Sequence, residues 1–337
     1  MEQPSQIALT SGELGFLWES YRCETMFLCT FKYFINVVDD ADIVKHFQSG
    51  IVITEKHIEM IKNVLLNEDF PIPNGFSEDD VNLKAPKLFS NETALHLLKQ
   101  ITDTRFEVYS KHLKMTTRLD LRALCNELLT NYNRYCHEVT ETLLNKGLYV
   151  RYPQIEIPED VDYVKKKRYL TGWLGERRPL EATQIAQLSL NIQRNTLLKT
   201  MLIGFTQTVE NKKLKEILET GKKKTDEMVD SFNLFLKDVD IEAPIPSGLE
   251  VTTSTKAPFS DKLVLDFLLD ITRCAIYFYG EALAVSTRRD LFAFYGKTIN
   301  ATTVYAHQII GLAIELGYLE QPPIATDHEE VANRIDE

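Results

Sequence analysis

Along the first forty positions an alternating spacing of three and four picks out Leu14, Leu17, Tyr21, Glu24, Leu28, Phe31, Ile35 and Val38. That spacing lays one stripe along one face of a helix, where it meets a neighbour. Helix A is predicted over 14–38. The same rhythm resumes with Ile43, Phe47, Gly50, Thr54, His57, Ile61 and Val64, which predicts helix B. "VDDAD" at 38–42 forms the tight turn between them, its acids suited to capping helix B. Pro71, Pro73, Gly75 and Pro86 rule out continuous helix from about 69 to 89. Helix C follows at roughly 90–116 and helix D at roughly 119–146, ending at Gly147.

The pattern then repeats. "MTTRLDLRALC" at 115–125 returns as "VSTRRDLFAFY" at 285–295, "FPIPNGF" at 70–76 as "APIPSGL" at 243–249, and "LLNKGLYVRYP" at 143–153 as "AIELGYLEQPP" at 313–323. An offset near 170 means duplicated domains, because solenoid repeats are far shorter. The second set of helices is expected at about 181–209, 211–238, 261–286 and 289–316. Two helical hairpins joined by a crossover of about twenty residues is the connectivity of ferritin-like bundles. The expected fold is therefore all-α, with two tandem ferritin-like four-helix bundles related by internal duplication. Residues 1–150 form copy one, 151–180 the connection, 181–325 copy two and 326–337 an acidic tail. In the repeated turn, Thr116, Thr117 and Asp120 are expected to cap helix D and Arg118 to bond the last carbonyls of helix C. Trp173 is expected to pack between the bundles.

Composition narrows the function. The chain has 337 residues, 44 % apolar and 26 % charged, with a net charge of −11 spread evenly over both halves. "KKKR" at 165–168 and "KKK" at 222–224 are flanked by acids, so no basic surface for nucleic acid is expected. Five cysteines, Cys23, Cys29, Cys125, Cys136 and Cys274, form no Cys-x-x-Cys pair, against a disulfide or zinc framework. Neither a signal peptide nor a transmembrane run is visible, and a cytoplasmic location is expected. Nucleophile-elbow and phosphate-loop motifs are missing too.

A ferritin-like di-metal centre needs Glu-x-x-His on two helices. His57 is preceded by Thr54 three back, His137 by Arg134 and His307 by Val304, so no complete centre is expected. His137 and His307 lie opposite the apolar stripe of helix D and should face outward. Glu24 and His57, however, fall on seam positions, where polar groups are costly unless paired. Each lies about sixteen or seventeen residues from the A–B turn, roughly 25 Å along its helix at 1.5 Å per residue, so they should be level and facing. Helix C brings Arg105, Glu107 or Tyr109 to that depth, and helix D Glu127 and Asn131. A core cluster of Glu24, His57 and Arg105 with Tyr109 in reach is the candidate ligand site. Glu24 and His57 are the candidate ligands of a single transition-metal ion; no other cofactor is expected. Copy two has Asn195, Met228 and Ala275 at the aligned places, so one copy carries the layer.

"GFSEDDVNLKAPKLFS", "KGLYVRYP", "GWLGERRPL" and "STRRDL" resemble a family of uncharacterised proteins from spore-forming Gram-positive bacteria, domain of unknown function 3231. The resemblance implies a pair of ferritin-like bundles and a bacterial origin, and transfers no activity and no catalytic residues. On this reading the chain is a non-enzymatic structural or interaction protein that meets an unidentified protein partner or itself. A link to stress or sporulation follows from the resemblance alone. The alternative is a binding or redox protein holding one metal ion or small ligand in the Glu24–His57 layer.

Overall fold

The computed structural model describes residues 7–172 and 177–328. Eight long helices and no strands run through these residues: α1 Ser11–Val37, α2 Ala41–Asn67, α3 Asn91–Met115, α4 Leu119–Asn145, α5 Ala182–Thr208, α6 Lys212–Lys237, α7 Asp261–Ala284 and α8 Arg289–Glu315. Helix α1 starts one turn earlier than its apolar stripe because Thr10 and Glu13 form a reciprocal capping box. Asp40 caps α2, Ser90 caps α3, Asn211 caps α6 and Ser260 caps α7, each accepting backbone N–H groups. Helices α4 and α8 end at Gly147 and Gly317, both at φ 69°, the left-handed conformation that only glycine adopts without strain.

Charges at the two ends set the direction of each helix. At one end, Lys87 lies 3.1 Å from Asp39 and Lys146 lies 2.8 Å from Asp40, which gathers the α1–α2 turn, the start of α3 and the end of α4. At the other end, Arg118 lies 2.7 Å from Glu68, joining the α3–α4 turn to the end of α2. Residues 68–90 therefore run the length of the bundle, and α2 and α3 are parallel. Helix α1 packs beside α3 and α2 beside α4, and copy two repeats this order with α5 to α8. This is the connectivity of ferritin-like bundles.

The two copies meet through their crossovers about a pseudo-two-fold axis. Val81 bridges Phe259 and Phe89 bridges Val251, and these pairs exchange under the 170-residue offset. Asn82 N–H donates to the Pro258 carbonyl at 2.8 Å, and its mate Thr252 donates to that of Leu88 at 2.9 Å. Beneath them Tyr33, Phe89, Phe205 and Phe259 form one aromatic cluster, with ring centroids 5.2 Å apart for Tyr33–Phe259 and 5.9 Å for Phe89–Phe205. The core is thus continuous across the copies.

The repeated turn is built differently from expectation. Helix α4 has no side-chain cap. Arg118 instead grips Asp120 with two bonds, Nε to Oδ1 at 2.9 Å and Nη2 to Oδ2 at 2.6 Å, and donates to the Ile7 carbonyl at 3.1 Å. Arg288 repeats this on Asp290, at 3.1 and 2.6 Å, and on the Arg178 carbonyl at 3.0 Å. The fork wins because a buried guanidinium needs a planar, charged acceptor and Asp120 supplies one two residues away. The last carbonyls of α3 are served by Arg122, which bonds Leu113 and Thr116. Glu13 closes the turn from α1, accepting the N–H groups of Thr117 and Arg118 at 2.8 and 2.9 Å. Trp173 lies outside the described residues.

Candidate functional site

Glu24 on α1 and His57 on α2 sit at the same depth, both fully buried, with His57 Nδ1 3.5 Å from Glu24 Oε1. Antiparallel α1 and α2, closed by a short turn, place them level, as equal distances from that turn require. From α3 the Tyr109 hydroxyl donates to Glu24 Oε1 at 2.5 Å, and from α4 the Tyr132 hydroxyl donates to Oε2 at 3.1 Å. All four helices thus contribute to the layer. Burial, and then the Glu24 charge, push both phenols well above their usual range, so both remain donors.

Asn131 fixes the imidazole. Its Nδ2 lies 3.1 Å from His57 Nε2, and an amide nitrogen only donates, so Nε2 accepts and the ring proton sits on Nδ1, facing Glu24. At 3.5 Å this contact is too long for a hydrogen bond, and Nδ1 has no other partner among the described residues. The His57 ring packs on Tyr132, with centroids 5.5 Å apart, and Tyr132 on Tyr109 at 5.7 Å. The result is an aromatic box around one carboxylate.

Arg105 does not join this layer, contrary to expectation. It lies over the Phe27 ring at 5.2 Å and points Nη2 at Asp270 of α7, 3.4 Å away. One helical turn from Tyr109 adds about 40° of rotation, enough to aim position 105 at the neighbouring bundle instead of the bundle core. There Asp270 supplies the opposite charge a buried guanidinium requires. Glu127 also stays outside, paired with Lys56 at 2.5 Å on the surface, and Glu107 faces Arg194 of α5 at 3.6 Å. His137 and His307 are exposed, His137 lying 3.4 Å from Glu141.

Tyr132 is the member that spacing alone does not reveal, since a tyrosine in an apolar stripe reads as core. In copy two the layer is reduced to Asn195, whose Nδ2 donates to the Tyr279 hydroxyl at 3.0 Å, with Met228 Sδ accepting from that hydroxyl at 3.3 Å.

A metal ion finds a poor donor set here. Both Glu24 oxygens already accept from phenols, and one imidazole is the only other metal-binding group in the layer. Among the described residues no group of three or more His, Cys, Asp or Glu could hold a metal ion. The cysteines are no better placed as nucleophiles: burial pushes Cys29 and Cys274 up to about 12 and Cys136 up to about 11. His96 and His112 are pushed down to about 4 by burial and are neutral at pH 7.

A family model described as "Protein of unknown function (DUF3231)" matches residues 2–161 and again 168–331. No curated protein matches the chain significantly. Among solved structures, a Bacillus halodurans protein described as a "putative spore coat protein" is similar at 15 % identity and a TM-score of 0.42, covering 46 % of this chain and 100 % of its own.

Proposed function

Because the chain belongs to the DUF3231 family, whose function is unknown, we propose from its own residues that it is a non-enzymatic structural or interaction protein. In this reading the Glu24 layer fixes the register of four helices and performs no chemistry. One observation carries it: both carboxylate oxygens are occupied by tyrosine hydroxyls inside a layer sealed from solvent. A buried network with its acceptors filled rigidifies a core and selects one packing. Among the described residues no helix is long and apolar enough to cross a membrane; a cytoplasmic place is part of the same proposal. An interaction role is supported by the connection between the copies, where Ile157, Val161 and Tyr163 are 91, 93 and 82 % exposed. A role in stress or sporulation draws on the family's spore-forming hosts.

The competing reading is a single metal ion or small ligand held by Glu24 and His57. The unpartnered Nδ1–H of His57, a donor, favours the small-ligand form of it. Elemental analysis separates the two: protein purified without tag or chelator, after growth with iron, manganese and zinc, is expected to carry no stoichiometric metal. Stoichiometric metal that disappears in both Glu24→Ala and His57→Ala would overturn the structural reading.

A further inference from the structure

Where the bundles meet, a cavity of about 60 Å³ lies on the pseudo-two-fold axis. Its polar lining includes Arg105, Arg194 and Asp270, and its apolar lining includes Phe27, Ile101 and Phe278. Sequence divergence between the copies accounts for the space. Arg105 has Ala275 as its mate under the repeat, a large side chain matched by a methyl group, and Asp270 has Gln100. The cavity adjoins a wider pocket of about 260 Å³, with Thr104, Arg105, Asp270, Cys274 and Phe278 lining both.

The two arginines are held but not satisfied. Arg105 is 3 % exposed, and its nearest acceptor atoms, on Asp270, are 3.4 and 3.5 Å away. Arg194 stacks on the Phe278 ring with its guanidinium carbon 3.3 Å from the centroid, and reaches Glu107 only at 3.6 Å. Arg105 Nε and both Nε and Nη1 of Arg194 are buried with no hydrogen-bond partner among the described residues. Buried N–H groups left in this state are costly, and a guanidinium fork best matches a planar anion.

We infer that this cavity binds a small organic carboxylate with a short apolar body, its oxygens taken by Arg105 and Arg194 and its hydrocarbon by the Phe27–Ile101–Phe278 wall. Three features select that ligand. In the inner cavity the free groups, on Arg105, Arg194 and Asn191, are all donors, so the head must accept. Most of the remaining wall is apolar, Gln100, Thr104, Asn191, Asn195 and Tyr279 aside, so the body must be mainly hydrocarbon. The inner volume holds only a few heavy atoms, so the body must be short, with any remainder in the wider pocket. The site is independent of the Glu24 layer, which lies inside the first bundle.

Titration calorimetry of the full chain with hexanoate tests this. One hexanoate per chain is expected, bound at least about tenfold more tightly than hexanol or hexylamine, which lack the planar anion. Arg194→Gln is expected to weaken hexanoate at least about tenfold. Should that variant fail to fold by circular dichroism, Ala275→Met fills the space while leaving both arginines in place, and must abolish binding. The inference is overturned if neither hexanoate nor octanoate binds saturably, if hexanol binds as well, or if Ala275→Met binds hexanoate like the unaltered chain. A crystal soaked in hexanoate that shows only water on Arg194 would overturn it as well.

Discussion

Replacing Glu24 by leucine removes the shared acceptor of two buried phenols while keeping a side chain of similar bulk. Hydrogen bonds to a charged group contribute about 1.5–3 kcal/mol each, and Glu24 accepts two, from Tyr109 at 2.5 Å and Tyr132 at 3.1 Å. Because the hydroxyls left behind have no water to turn to, the loss should approach that of breaking a buried pair, about 3–5 kcal/mol. For a bundle of this size about 1 kcal/mol corresponds to roughly 2–4 °C, so the melting midpoint of the first bundle should fall by roughly 6–20 °C. Differential scanning calorimetry and urea titration both read this. Glu24→Gln keeps one acceptor and should cost about 1–2 kcal/mol, since copy two already pairs an amide with a tyrosine at Asn195–Tyr279. The decisive variant combines Glu24→Leu with Tyr109→Phe and Tyr132→Phe, which removes the stranded hydroxyls and should recover most of the loss. If Glu24→Leu stays within about 0.5 kcal/mol of the unaltered chain, or if the triple variant is no better than the single one, the layer is not the stabilising pin described above.

Arg288→Lys keeps the charge but cannot fork onto Asp290, and with Arg288 fully buried it should lower the urea stability of the second bundle by about 3–5 kcal/mol. Burial raises the Glu13 carboxyl, but the N–H groups of Arg118, Thr10 and Thr117 outweigh it and hold the pKa at about 2, below the ordinary 4.5. Its folded value being depressed, the stabilisation is full above pH 4.5 and is lost as pH falls through about 2. Glu13→Gln should therefore flatten the acid limb of stability between those values, measured by circular dichroism. At Gly50 a methyl group would stand 2.6 Å from the Tyr135 hydroxyl, which is tied to the His46 carbonyl. Gly50→Ala should destabilise by about 1–3 kcal/mol in the same urea assay.

What could be read in advance divides along physical lines. The eight helices were legible because each buries a continuous stripe, and the stripe's period is local. Pairing Glu24 with His57 was legible for a related reason: a short turn makes depth along two helices a matter of counting residues. Tyr109 followed from the same count on α3. Tyr132 did not, since its ring reads as ordinary core and only the hydroxyl's target distinguishes it. Arg105 was misplaced because its partner Asp270 lies 165 residues away in the other copy, and no local pattern announces such a contact. The Arg118–Asp120 fork was visible as a repeated pair of residues, but its two-pronged geometry depends on the burial of the guanidinium, which the repeat does not disclose. Glu13 reached the same turn across 104 positions, beyond what any local signal carries.

The exchanged crossovers bear on how the chain comes off the ribosome. The backbone groups of Asn82 and Leu88 find their partners on Pro258 and Thr252, and Phe89 its ring neighbour on Phe205. Roughly 170 further residues must be made before the farther partners exist, which at about 5–20 residues per second is about 9 to 34 s. During that interval the first four helices can pair and the strap can bond α1 through Thr25 and Tyr33, but the strap's outer edge has nothing to lie against. The newborn first half is therefore most exposed to aggregation and proteolysis while translation is under way, and completing the second half, more than any later rearrangement, ends that exposure.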